Sequence, residues 1–221
     1  MTGLKKGITL VEIVVVIFII SMFMVILISD FPKMLRQFAL SRVVYNFAQD
    51  LRKAQDLGLS GVRLNDKTGK AITVKGYGIY VNYSKNPTKY LLYADVAAAA
   101  DINGPGKSDQ KYDDPVSPLY CSEVDQPGGG ANIVNGVLVV DCIVSEVDIS
   151  KESSSLSIDS ITNTAGSSNT SINFTPPDPI TTIDNLDTTI TNNNQVGIVF
   201  KNTDGAKRTV YVNTSGLISI P

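Results

Sequence analysis

The stretch that decides the architecture runs from Ile8 to Ile28, ITLVEIVVVIFIISMFMVILI, twenty-one residues whose only polar members are Thr9, Glu12 and Ser21. As an α-helix at about 1.5 Å per residue it spans roughly 31 Å, the thickness of a bilayer's hydrocarbon core. Helices buried in soluble cores seldom run that long without a polar side, so the segment reads as a membrane span. A secretory signal peptide has a shorter apolar run, roughly 7 to 15 residues, closed by a small-x-small cleavage site. Here the run is followed by Ser29, Asp30, Phe31 and Pro32. Lys5 and Lys6 precede the run and Asp30 follows it. The positive-inside rule then predicts a cytoplasmic N-terminus, with the chain from about residue 30 outside.

Glu12 is the exception in this span. A carboxylate inside an apolar helix costs on the order of 2.5 kcal/mol or more on insertion scales, so it should be paired, protonated or functional. A place close to head-group water would make it unremarkable, but it lies four residues into the run.

The residues Lys5-Lys6-Gly7-Ile8-Thr9-Leu10-Val11-Glu12, followed by an unbroken apolar helix, resemble the class III signal of type IV pilins and pseudopilins. There a short basic leader ends in Gly, and Glu is the fifth residue after the cut. The resemblance implies that a prepilin peptidase cuts between Gly7 and Ile8 and methylates the new amine of Ile8, which stands where the family more often has Phe or Met. It also implies a partner for Glu12, the N-terminal amine of a neighbouring subunit in the assembled filament. That agrees with the physical requirement that a carboxylate in a low-dielectric bundle find a cation.

Working outward, Pro32 should kink or break the helix, yet Leu40, Val44, Phe47, Leu51 and Ala54 recur at spacings of four and three. This is the apolar stripe of a helix lying on a sheet. Gly58 and Gly61 are read as its end. One helix from about Ile8 to Leu57 is expected, or two helices joined at Pro32. The organisation is then a leader at 1–7, a membrane half of the helix at 8–31, an amphipathic half at 32–61 and an extracytoplasmic head at 62–221.

Beyond Gly61 the periodicity is that of strands. Ala71 to Tyr83 and Lys89 to Val96 flank a Ser84 to Thr88 turn and read as a hairpin. Asn132 to Ser145 contains Asn135-Gly136 and reads either as a hairpin or as one bent strand. Gln195 to Asn202 and Lys207 to Asn213 flank Asp204-Gly205, and Leu217 to Ile220 reads as a last strand. Residues 150 to 195, rich in Ser, Thr, Asn and Asp, read as short edge strands between polar loops. The expected fold class is α+β, a long helix packed on an antiparallel sheet. The hairpin YGIYVNY, the strand YLLYAD, the segment INFTPPDP and the end RTVYVNTSGLISI are similar to H-type (FimT-like) minor pseudopilins, which extends the pilin-like resemblance across most of the chain.

Composition limits the chemistry. The chain has 221 residues, 43% of them hydrophobic, a formal charge of -2, two cysteines and no histidine. Without histidine there is no Ser-His-Asp or Cys-His machinery and no imidazole metal site. Carboxylate pairs such as Asp113-Asp114 read as exposed, and no constellation points to an enzyme. Cys121 and Cys142, placed outside the membrane, are expected to form a disulfide worth about 3 kcal/mol in the chain-entropy model. Asp101, Asn103, Asp109 and Asp113 share a loop with Gly104 and Gly106, a weak calcium pattern that lacks a correctly placed bidentate Glu. Otherwise no cofactor is expected. Asn82, Asn169, Asn173 and Asn213 begin N-x-S/T triplets, which arise easily in so polar a chain.

From Lys33 to Lys89 there are eleven basic and three acidic residues, and from Tyr90 to Phe200 three basic and fifteen acidic. Opposite patches of this kind are either solvated surface or a source of register in head-to-tail assembly. The acidic remainder argues against nucleic acid as a partner. The functional expectation is a structural subunit of a type IV pilus or type II secretion-like pseudopilus, with other pilin subunits, the prepilin peptidase and the membrane as partners. The alternatives are a single-pass membrane protein whose head binds a ligand or partner without polymerising and, within the class, a DNA-uptake competence pilin.

Overall fold

The computed structural model describes residues 7, 9–65, 71–72, 74–96, 112, 120–121, 133–134, 137–138, 141–164, 166–176, 180–185 and 194–221. One helix, α1, runs unbroken through Leu10–Ser60, 51 residues and so about 76 Å. Thr9 caps it with an extended backbone, and its hydroxyl accepts from the Glu12 amide at 3.3 Å. Pro32 lies inside the helix and does not divide it. The C-cap is Gly61, left-handed at φ 58°, a conformation that costs other L-residues steric strain. Gly58, expected as part of the stop, lies within the helix instead. A Cβ there would stand 2.6 Å from the carbonyl oxygen of Phe174, so glycine is required by the close approach of a strand.

The strands after the helix are β1 (Leu64–Asn65), β2 (Ala71–Ile72), β3 (Val74–Asn82), β4 (Lys89–Val96), β5 (Ile133–Val134), β6 (Val137–Leu138) and β7 (Cys142–Asp148). They continue as β8 (Leu156–Thr162), β9 (Asn169–Thr175), β10 (Ile180–Ile183), β11 (Gln195–Asn202), β12 (Lys207–Asn213) and β13 (Ile218–Ser219). In place of the single sheet expected from sequence, the described residues form a five-stranded sheet in the order β10-β9-β3-β4-β7, a four-stranded sheet in the order β13-β12-β11-β8, and the two-stranded pairs β1-β2 and β5-β6. All of the pairings between these strands are antiparallel. Of the segment read as a hairpin or one bent strand, β5 and β6 pair antiparallel, Val134 with Val137, and β7 is a separate strand, while Asn135 and Gly136 lie outside the described residues.

Both sheets bury an apolar face on the same stretch of α1. Leu40, Val43, Val44, Phe47, Ala48, Leu51 and Ala54 are buried there, against Ile79, Leu92 and Ile172 of one sheet and Val196, Ile198 and Val210 of the other. Phe47 joins the two sheets directly. Its ring lies 4.9 Å from that of Tyr90 in β4 and 5.1 Å from that of Phe200 in β11.

Strand β9 departs from the sequence reading. It lies inside the five-stranded sheet, between β10 and β3, with Thr170 to Phe174 buried. Ile172 and Phe174 face the helix, while Ser171 and Asn173 project from the opposite face, which is also covered. There Ser171 Oγ lies 2.8 Å from the hydroxyl of buried Tyr93 and accepts from the Tyr112 amide at 2.9 Å. Asn173 Nδ2 donates to Asp95 at 2.8 Å. Buried polar atoms are tolerated when hydrogen-bonded, as Ser171 Oγ and Asn173 Nδ2 are, so alternating Ser, Asn, Ile and Phe encode a two-sided interior strand rather than an edge. The expected edge positions do hold for β8 and β10.

Candidate functional site

The exposed half of α1 is where structure and chemistry disagree most openly. From Leu10 to Phe38 no residue of the helix is buried, and Leu10, Phe18, Phe23, Val25 and Ile28 keep 64% or more of their surface. The helix is long and apolar enough to cross a membrane. Its apolar surface is far larger than the few hundred Å² that a soluble monomer leaves bare. Something other than this chain's own head must cover it.

Glu12 sits in the first turn of this bare helix. Thr9-x-x-Glu12 has the capping-box pattern, a signal present in the sequence that gives Glu12 a local structural role beside the functional one. The half of the box that forms is the bond from the Glu12 amide to the Thr9 hydroxyl. Among the described residues the Glu12 carboxylate has no hydrogen-bond or ion-pair partner. The first-turn position favours a negative charge through the helix dipole by about 0.3 to 1 kcal/mol, less than the cost of carrying that charge into hydrocarbon. Gly7, just before the cap, is exposed and outside any regular element, with nothing within 4 Å of where a Cβ would be. Ile8, expected as the first residue after cleavage and as the methylated one, lies outside the described residues.

The second half of α1 is fixed to the head by apolar burial and by three polar ties. Arg36 Nε donates to Asp204 in the β11–β12 turn at 2.6 Å, and Arg42 Nη1 donates to Glu152 at 2.8 Å. The hydrogen bond to Asp204 raises the Arg36 pKa and lowers that of the Asp204 carboxyl. The Tyr90 hydroxyl donates to Asp50 at 2.6 Å. Burial first, and that bond second, push the tyrosine far above its ordinary value, so it is a permanent donor. The basic helix and the acidic head thus spend part of their opposite charge on each other within one chain. Those side chains are correspondingly less available to neighbours.

Cys121 and Cys142 form the expected disulfide, with Cα atoms 4.8 Å apart. Both are buried, beside Tyr77 and Ala94. Cys142 opens β7, so the bridge ties the chain at Tyr120 and Cys121 to the edge of the five-stranded sheet. The calcium pattern of Asp101, Asn103, Asp109 and Asp113, like Asp114, lies outside the described residues. Among the described residues no group of acidic or cysteine side chains is placed to hold a metal ion. The four N-x-S/T asparagines are all engaged. Asn173 is buried, Asn169 Nδ2 donates to Tyr80 at 3.3 Å, and the Asn82 and Asn213 carboxamides accept turn amides from Lys85 and Ser215.

Comparison of the chain with protein-family models, with curated proteins and with solved structures gives no match. The functional reading therefore rests on residues and geometry.

Proposed function

We propose that the chain is a structural subunit of a type IV pilus or a type II secretion-like pseudopilus, most similar to the H-type minor pseudopilins. In this reading it is inserted as a single-pass protein of the cytoplasmic membrane with the N-terminus inside. A prepilin peptidase cuts it between Gly7 and Ile8, and it is drawn into a filament whose core is the apolar half of α1. Its role is architectural and involves no catalysis.

The observation that supports this most is the combination of a bare apolar helix with one unpartnered carboxylate near its start. A membrane anchor alone has no use for Glu12, which adds an insertion cost. A helix that leaves lipid to pack among copies of itself can use it. There the carboxylate meets the free amine of a neighbour, and the pair fixes the axial register that an apolar seam leaves loose.

N-terminal sequencing of membrane-extracted protein tests the processing step, with a chain beginning at Ile8 expected. A chain that stays uncut at Gly7 would favour the non-polymerising anchored protein. Glu12→Gln tests assembly and should leave membrane insertion intact while removing the subunit from sheared filaments. Normal incorporation of that variant would refute the role given to Glu12. Abundance in the same filaments separates a major subunit, which dominates the preparation, from a minor one.

A further inference from the structure

The junction where α1 leaves the apolar run and meets the head has a composition that the assembly role does not require. Lys33 and Arg36 lie seven and four residues before buried Leu40, on the helix face that the head covers higher up. Phe31, Met34, Leu35 and Phe38 occupy the opposite face and are 50 to 64% exposed. Arg36 holds the β11–β12 turn through Asp204, and the start of β12 lies beside Gln37 and Leu40 of the helix. Lys207 and Arg208 stand there. Together with Gln37, Leu40, Ala206 and Pro221 they line a groove of about 330 Å³ between helix and sheet.

The charge at this base is unlike that of the rest of the chain. Lys33, Arg36, Lys201, Lys207 and Arg208 are opposed by Asp30, Asp159 and Asp204, a net of +2 on a chain whose total is -2. Asp159 is shared by Lys201 and Lys207 at 2.7 and 2.6 Å, so two lysines divide one carboxylate. Arg208 is exposed and has no ion-pair partner among the described residues. Its strand neighbours Val210 and Val212 point into the core, so Arg208 ends the inward-facing row at the open mouth of the groove.

The level is set by the helix. Lys33 and Arg36 are five and eight residues past Ile28, about 7 and 12 Å along the axis. The polar layer of a bilayer extends roughly 5 to 8 Å beyond each side of the hydrocarbon, and long basic side chains reach several ångströms toward it. We propose that this basal collar docks the head onto anionic phospholipid headgroups while the subunit is in the membrane, with lipid phosphate at the groove lined by Arg208 and Lys207. The collar would hold the head on the bilayer until assembly lifts it away. The proposal rests on the membrane-span reading of Ile8 to Ile28.

The test uses the full chain reconstituted in vesicles of phosphatidylcholine alone and of phosphatidylcholine with about one-third phosphatidylglycerol. Amide hydrogen exchange is followed across residues 204–209. Slower exchange is expected in the anionic vesicles, by about fivefold for each cation engaged, reversed by high salt. Lys33→Gln with Arg208→Gln should abolish the difference. Lys53→Gln, seventeen residues and about 25 Å above Arg36, should not. Free glycerol phosphate added to neutral vesicles should fail to reproduce the slowing, since a soluble anion is not held at the surface. Equal exchange in the two vesicle types overturns the proposal. So does slowing in both that follows protein density, which would make a second copy the cover. A chain that floats with neither vesicle overturns the span instead.

Discussion

The two halves of α1 are both strongly apolar and differ in what surrounds them. From Leu40 to Gly58 each turn contributes residues to a core shared with two sheets, and Val44, Phe47, Leu51 and Ala54 lose all their exposure. From Leu10 to Phe38 residues of the same chemical kind remain open all the way round. The upper half obeys the rule for a surface helix, with a stripe inward and Arg42, Tyr45, Arg52 and Lys53 outward. Up to Ile28 the lower half has no polar side, the pattern of a helix in a uniformly apolar environment. One continuous rod thus has a packed half and a bare half, with Pro32 and the charges of Asp30, Lys33 and Arg36 at the boundary between them.

Truncating one apolar residue in each half tests this contrast most severely. Phe47→Ala removes the ring that bridges Tyr90 and Phe200 and should destabilise the head by about 3 to 5 kcal/mol. Val16→Ala removes a side chain that touches nothing in the head and should change head stability by less than about 0.5 kcal/mol. Urea unfolding of the full chain in detergent micelles, followed by tyrosine fluorescence, measures both. Comparable losses for the two would mean that the lower half is part of the head's core.

The disulfide comes next. Replacing Cys121 and Cys142 together by Ser should cost about 3 kcal/mol if the loop-closure account holds, seen as a lower urea midpoint. Both sulfurs belong to buried residues, so in the native protein the bridge should resist a mild reductant and yield to it at denaturant concentrations that open the head. Its loss should leave membrane insertion of the lower half untouched, which separates the two halves a second time.

The two helix halves, the hairpin of β3 and β4, and the pairing of β11 with β12 were legible in the sequence because each follows one period and ends at a turn residue. Less legible was whatever depends on a second surface. Strand β9 looked like an edge because Ser171 and Asn173 are polar, and only the tyrosine layer beyond them makes their burial favourable. Two sheets could not be told from one, since alternation reports that a face is buried and not which neighbour buries it. Gly58 looked like a stop signal because glycine serves both to end a helix and to admit a close neighbour. At the candidate site Glu12 was visible as an anomaly, whereas the basal collar depends on the fold bringing Arg208 beside Gln37, 171 residues apart in the chain.

Gly58 itself gives a sharper test of the upper half. On helix propensity alone, Gly→Ala in a helix interior is worth about 1 kcal/mol of stabilisation. Against this stands a Cβ placed 2.6 Å from the Phe174 carbonyl oxygen, a backbone atom of a central strand that cannot turn aside. Overpacking of this kind costs about 1 to 3 kcal/mol, so Gly58→Ala should be net destabilising by about 1 kcal/mol. A gain in stability would show that the helix is free to shift off β9, and that the upper half is held less tightly than its burial implies.

The smallest effect concerns the charges around the boundary. The Asp159 pKa is lowered by its bonds to Lys201 and Lys207. A carboxyl held below its ordinary value contributes stability above its unfolded pKa, near 4, and that contribution disappears as pH falls through the lower folded value. Head stability should therefore drop through the acid side of pH 4. Asp159→Asn should lose less over that range, while costing under about 1 kcal/mol at neutral pH because both lysine side chains are about half exposed to water. Insertion of the lower half should be indifferent to this titration, because Asp159, Lys201 and Lys207 all belong to the four-stranded sheet and its turns. Protonation of Asp159 leaves the base of the head more positive and strengthens any hold on anionic lipid, so an acid-dependent release of the whole chain from vesicles would count against the basal collar.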